Sequence, residues 1–278
     1  MKLLEIAGKI LNKTFWFRHN YPRKRVPEWC RHILFSKREG WEENIKADFK
    51  AFPQVMLTFG AMSIEAIERA DIVVPYEFED LLWLADRPSL TKKKFIPIPS
   101  RGVVELCHNK RLFNSTLSSL GFEEILPDDH NLTPPYILKP NQGESSNGTF
   151  VVTSFDSEIR NANLVEDPSN LKQQLVLGMY EYATHMIVRN GKILAELTIE
   201  YRFATDKPVK GKTKCVWRRA VRCPDIENLL AVLQSIGFEG ICCFNYKMVS
   251  GKIQLIELNP RFGGSLSSHF SYLLSQIA

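Results

Sequence analysis

The chain has 278 residues, 44% hydrophobic and 24% charged, which fits an ordinary soluble globular protein of one large or two smaller domains. Its six cysteines show no CxxC or His-paired spacing, which points to neither a zinc site nor a disulfide framework, and no run of about 18 apolar residues is present to span a membrane. The net charge of +5 gathers in two basic runs, Arg18 to Arg25 and Lys207 to Arg222. No nucleic-acid-binding signature with interleaved aromatics accompanies the second run, so a nucleic-acid partner is not expected.

In the amino-terminal stretch, Leu3, Leu4, Ala7, Ile10, Leu11 and Phe15 recur at helical spacing, with Lys2, Glu5, Lys9 and Lys13 opposite. This predicts an amphipathic helix. Its apolar stripe is expected to pack on the protein's own core or on a second subunit in a homo-oligomer. The alternative is peripheral contact with an anionic membrane, helped by the basic cluster that follows. Glu5, Lys9 and Lys13 interrupt the apolar run, which argues against a signal peptide and places the protein in the cytoplasm.

"QVMLTFG" and "ADIVVP" predict short buried strands, and "MSIEAIERA" and "EFEDLLWLADR" predict helices, an alternation typical of a small α/β layer over roughly the first hundred residues. After "FIPIPSRG", the segment "NKRLFNSTLSSLG" predicts a helix stopped at Gly121. Strands are then expected at "PYILKP", "TFVVTS", "QQLVLG", "YATHMIV", "KILAELTIEYRF", "ICCFNYKMV" and "KIQLIELNP", divided by a helix at "PDIENLLAVLQSIG". This order predicts α+β subdomains rather than one parallel sheet.

Two stretches carry chemistry. In "ILKPNQGESSNGTFVV", Gly143, Ser145, Ser146 and Gly148 lie between strands, where small residues let backbone N–H groups and hydroxyls approach phosphate oxygens, while Lys139 supplies a positive charge. A polar hairpin loop explains the glycines equally well. "GKT" at Gly211 to Thr213 is no P-loop, because Asp206 stands where the first glycine is required. In "LIELNPRFGG", Glu257 and Asn259 share one face of a strand and offer oxygens suited to a hard cation. Asn245, on the preceding strand across the turn signal "VSGK", lies within hairpin reach of Glu257. A lysine partner for Glu257 and a capping role for Asn259 are the structural alternative.

Taken together, Cys107 to about Ser265 resembles the ATP-grasp superfamily, particularly its carboxylate-amine ligases and the large chain of carbamoyl phosphate synthetase. The resemblance implies an α+β ATP-grasp fold at 106–278, with a lid subdomain at 106–175 and a metal-binding subdomain at 176–278. It also implies a smaller pre-grasp α/β domain at 1–105. It implies that Lys110 and Lys139 contact the phosphates of ATP and that Gly143 to Gly148 cover them. Backbone groups of Gln174, Leu175 and Val176 would read adenine, and Glu181 would hold the ribose. Asn245, Glu257 and Asn259 would ligate Mg2+, with Mn2+ as the alternative ion. Two positions depart from the family pattern. Asn109 replaces an aspartate, and Asn245 stands where a Gln, Asp or Glu is usual, which bears on whether a second metal binds.

The implied activity joins a carboxylate to an amine, both small molecules, through an acylphosphate, with release of ADP and phosphate. Arg261 is the candidate for orienting the acylphosphate or the substrate carboxylate, because its planar fork suits bidentate anion contacts. A phosphotransferase that stops at phosphorylation and a nucleotide binder without turnover stay open alongside the ligase. Only "SLSSHFSYLLSQIA" follows the last motif, so the acid and the amine go unnamed.

Overall fold

The computed structural model describes residues 25–143 and 146–277. The expected amino-terminal helix and Ser145 lie outside the described residues. Among the described residues, no helix is long and apolar enough to cross a membrane.

Three short parallel strands form the first layer: β1 (His32–Phe35), β2 (Met56–Phe59) and β3 (Ile72–Val74), in the order β2-β1-β3. Parallel pairing needs crossovers, and the helices Glu42–Asp48 and Ile64–Arg69 supply them. The central strand β1 was not among the expected strands, since four residues of "HILF" leave almost no pattern to read.

An antiparallel sheet of three strands follows, with β4 (Tyr136–Pro140) between β5 (Phe150–Val152) and β6 (Asn170–Gln174). The expected strand "QQLVLG" stops early, at Gln174. Beyond it the backbone turns toward other partners, and the Val176 carbonyl accepts from Lys247 Nζ at 2.6 Å instead of from a neighbouring strand.

The largest sheet is antiparallel, in the order β11-β10-β7-β8-β9. Its strands are β7 (Tyr180–Arg189), β8 (Lys192–Phe203), β9 (Cys215–Val221), β10 (Gly240–Val249) and β11 (Lys252–Asn259). Two tight turns set its register. Asn190-Gly191 and Ser250-Gly251 all have positive φ, as two-residue hairpin turns of this hand require. Strand β9 corrects the reading of Lys207 to Arg222 as one charged run. It is an edge strand, where outward charges such as Arg218 and Arg219 guard against unwanted pairing.

The five-stranded sheet is buried on both faces. One face, with Ala183, Ile187, Leu197 and Ile199, shares a core with Ile33, Phe35, Ile72 and Val74 of the parallel layer and with Phe262 and Phe270. The other, with Met186, Val188 and Phe244, packs on the helices Arg101–His108, Lys110–Ser119 and Ile226–Ser235. Alternation along β10 therefore sends Cys242, Phe244 and Tyr246 to the helices, and Cys243, Asn245 and Lys247 to the opposite face.

Candidate active site

A cleft of about 370 Å³ opens between the three-stranded antiparallel sheet and the five-stranded sheet. Strand β10 presents Asn245 and Lys247 to it, and β11 presents Glu257 and Asn259. The hairpin register makes Asn245 and Glu257 direct cross-strand partners. Glu257 Oε1 accepts from Asn245 Nδ2 at 2.9 Å and from Asn259 Nδ2 at 3.0 Å. Burial pushes the Glu257 carboxyl upward, but the Asn259 amide and the ammonium groups of Lys110, Lys139 and Lys210 outweigh it and hold the group below its ordinary range.

Lys139 enters from β4, almost fully buried at 8% exposure. Its Nζ donates to Gln173 Oε1 at 2.9 Å and to the Ile256 carbonyl at 3.4 Å. Burial, only partly opposed by Glu257, lowers its pKa to about 8. Lys110 is the first residue of the helix Lys110–Ser119 and donates to the Gly143 carbonyl at 3.3 Å. Asn109 has a local task, since its Oδ1 accepts from Leu112 N at 3.0 Å and caps that helix.

The segment between β4 and β5 lines the cleft with Gly143, Ser146 and Asn147. Gly148 does not line it. Its φ is +70°, and a Cβ there would stand 2.6 Å from Pro140 Cγ, so its part is conformational. The segment is tied to the loop before β9: Ser146 Oγ donates to the Lys210 carbonyl at 2.8 Å, and Lys212 Nζ to the Thr149 carbonyl at 2.6 Å.

Gln174, Leu175, Val176, Glu181, Arg261, Gly263 and Ser265 also line the cleft. Burial raises the Glu181 pKa, against the pull of Lys210 and Lys247. Arg261 is mostly buried and reaches Asn259 Oδ1 at 3.5 Å. Arg218 and Arg219 do not line the cleft; Arg219 pairs with Glu200 at 2.7 Å.

The cleft also holds groups that sequence reasoning missed. Lys247 lies two residues beyond Asn245 on the same face of β10, a spacing that signals it. Lys210 carries no such signal. It sits in the loop before β9, with its Nζ 2.5 Å from Asn245 Oδ1, 3.7 Å from Glu181 Oε1 and 4.4 Å from the Tyr201 ring centroid. Arg38 and Trp41, after β1, also line it, the guanidinium 4.5 Å from the indole centroid. His185, given no role from sequence, is fully buried, and its Nε2 is 2.7 Å from Ser265 Oγ. Burial lowers its pKa to about 3, so it is neutral.

The sequence matches no family model and no curated protein. Solved structures do match. The phosphoribosylamine–glycine ligase of Thermotoga maritima aligns with a TM-score of 0.60 and 14% identity, over 85% of this chain and 70% of that one. The D-alanine–D-alanine ligase of Bacillus anthracis aligns at 0.55 and 16%, over 88% and 95%. The N5-carboxyaminoimidazole synthase of Aspergillus clavatus, solved with ADP and 5-aminoimidazole ribonucleotide, aligns at 0.58 and 13%, over 89% and 76%. Likeness that spans most of each chain at such low identity is a likeness of fold. The chain has the ATP-grasp fold.

Glu257 and Asn259 of β11 are the residues in this cleft whose oxygen donors could hold a divalent cation. Among the described residues no group of three or more His, Cys, Asp and Glu side chains gathers that could hold a metal ion. One carboxylate beside an amide is the chemistry Mg2+ accepts when phosphates and waters complete its shell. Turning the Asn259 amide end over would bring its Oδ1 beside Glu257, where a bound cation would replace the 3.0 Å hydrogen bond that Asn259 Nδ2 now donates to Glu257 Oε1, and would give up the 3.5 Å contact from Arg261.

Proposed function

We propose that the protein is an ATP-dependent carboxylate–amine ligase. The observation that carries this reading is the convergence of Lys110, Lys139, Glu257 and Asn259 on one cleft between two antiparallel sheets. Two ammonium groups beside the Glu257 and Asn259 oxygens suit a polyphosphate with a divalent cation, and the presence of Gln174, Leu175 and Val176 in the lining supports a base read by their backbone groups. The ATP-grasp ligases matched above support the kind of reaction, and those solved with ATP or ADP support the nucleotide.

Lys110 and Lys139 offset phosphate charge, so that an incoming carboxylate meets less repulsion at the γ-phosphorus. Glu181, at the start of β7, is positioned to accept from the ribose hydroxyls. Glu257 and Asn259 would hold Mg2+ or Mn2+, which would supply positive charge to offset that of the phosphates. Ser146 and Gly143 contribute the phosphate-covering segment. Arg261 orients the carboxylate and then the acylphosphate, which the amine attacks to leave an amide and free phosphate.

The test is substrate-dependent ADP release over a panel of amino acids, sugar acids and small polyamines. ADP, phosphate and an amide in equal amounts are expected. A phosphorylated product without free phosphate would make the protein a phosphotransferase, and ATP-induced stabilisation with no ADP under any acid–amine pair would make it a binder.

A further inference from the structure

The cleft contains a cation of its own. Lys210 Nζ lies 2.5 Å from Asn245 Oδ1 and 3.7 Å from Glu181 Oε1. An amide oxygen and a carboxylate oxygen facing one point is a donor pair that suits a hard cation. Asn245 Nδ2 donates in turn to Glu257 Oε1 at 2.9 Å, so Asn245 bridges the ammonium and the Glu257 carboxylate.

The two amides of the cluster therefore differ. Both amides donate to Glu257 Oε1, but the Asn259 oxygen is held only by the 3.5 Å contact from Arg261, so an ion at Glu257 that displaces the Asn259 donor can claim that oxygen. The Asn245 amide is fixed more firmly, because turning it would give up the 2.5 Å contact from Lys210 Nζ and aim two N–H donors at that ammonium. With Lys210 in place, Asn245 keeps its oxygen away from any ion bound at Glu257.

We propose that the site takes one divalent cation, held by Glu257 and Asn259, and that the Lys210 ammonium, fixed by Asn245 and Glu181, fills the place where a second would bind. The proposal rests on the nucleotide site described under Proposed function. It makes Asn245 a positioning residue for Lys210 and not a metal ligand. It also links this charge to the covering segment, because the Lys210 carbonyl accepts from Ser146 Oγ at 2.8 Å. A tethered ammonium arrives with its loop, whereas a second ion must be drawn from solution.

The experiment counts Mn2+ bound to the full-length protein at saturating ADP, from loss of the free-ion signal in electron paramagnetic resonance. The wild type is expected to bind one Mn2+ per chain. Lys210→Gln removes the ammonium and leaves Glu181, Asn245 and Glu257 facing one another, so its count should rise to two. Asn245→Asp with Lys210 intact should stay at one, because the new carboxylate pairs with the ammonium. ADP-induced thermal stabilisation checks that each variant folds, and the Asn245→Asp arm decides if Lys210→Gln does not. Two Mn2+ in the wild type, one in folded Lys210→Gln, or two in Asn245→Asp would each overturn the proposal. Wild type that binds ADP but no Mn2+ would instead overturn the metal assignment of Glu257 and Asn259, and failure to bind ADP would overturn the nucleotide reading itself.

Discussion

Glu257 and Lys139 are held in opposite electrostatic states. Glu257 stays ionised despite burial because three ammonium groups and an amide surround it, and that same charge is what a bound cation would use. Glu257→Gln keeps the shape and both amide contacts within reach, so the fold should survive. Turnover should fall by about a hundredfold or more, the usual loss for one preorganised charge contact at a transferring group. ADP release at saturating Mg2+ checks this, and an unchanged rate would remove Glu257 from the site. Lys139 pays for its burial with a pKa lowered to about 8 from 10.5. Below pH 8 the free protein already carries the ammonium that ATP requires. Above it, binding must also recruit a proton, so ATP affinity should fall as pH rises, by up to about tenfold per unit until the pKa of the bound state is reached. Lys139→Met should bind ATP more weakly at pH 7 and show a flatter profile. A wild-type affinity constant from pH 7 to 9.5, measured by calorimetry, would contradict the assignment.

The segment between β4 and β5 behaves as a hairpin loop with a second use. Its glycines have positive φ, as an ordinary loop would, yet Ser146 and Lys212 fasten it to the loop that carries Lys210. Gly148 is the position with least freedom, because φ is +70° and Pro140 Cγ blocks a Cβ. Gly148→Val should therefore distort this loop at a local cost of about 1–3 kcal/mol while the sheets stay folded. Turnover should drop more than ATP affinity, since closure over the phosphates is obstructed while Lys139 and the segment Gln174 to Val176 remain. Proteolysis of the loop with and without ATP reads closure directly. Equal protection in variant and wild type, with equal turnover, would leave the segment as a plain hairpin.

The parallel layer and the five-stranded sheet are joined by one continuous core, and Phe262 is its central pin. It follows Arg261 directly, and its ring centroid lies 5.2 Å from Tyr76, 5.2 Å from Phe270, 5.8 Å from Trp41 and 6.4 Å from Phe35. Fully buried aromatics in such a cluster typically cost about 3–5 kcal/mol when cut to alanine. Phe262→Ala should lower the unfolding free energy measured by urea titration by that amount and, by releasing the turn, misplace Arg261 and reduce turnover. A loss below about 1 kcal/mol would mean that the two layers do not depend on this contact. Gly263 and Gly264 complete the arrangement, because a Cβ at Gly264 would stand 2.9 Å from the Trp41 ring and one at Gly263 would stand 2.7 Å from His185.

Much of this was legible in the chain because strand geometry is local. Alternation puts Glu257 and Asn259 on one face of any strand they occupy, "VSGK" sets the hairpin that brings Asn245 opposite Glu257, and Lys110 stands at the start of a helix whose cap and glycine stop are both written nearby. The α+β class followed from the same periodicities. Strands β1 and β9 escaped because one is four residues long and the other is an edge whose exposed arginines read as a charged run. The cleft's remaining charges had no local signal at all. Lys210 looked like one more lysine among Lys207, Lys212 and Lys214, and Arg38 and Trp41 sit some two hundred residues before Arg261. Only the packing of a loop over β10 and of the parallel layer against the turn after β11 decided that these groups face the same cavity. A side chain's direction along a strand depends on its immediate neighbours, whereas the meeting of two loops depends on how whole sheets bury their faces against each other.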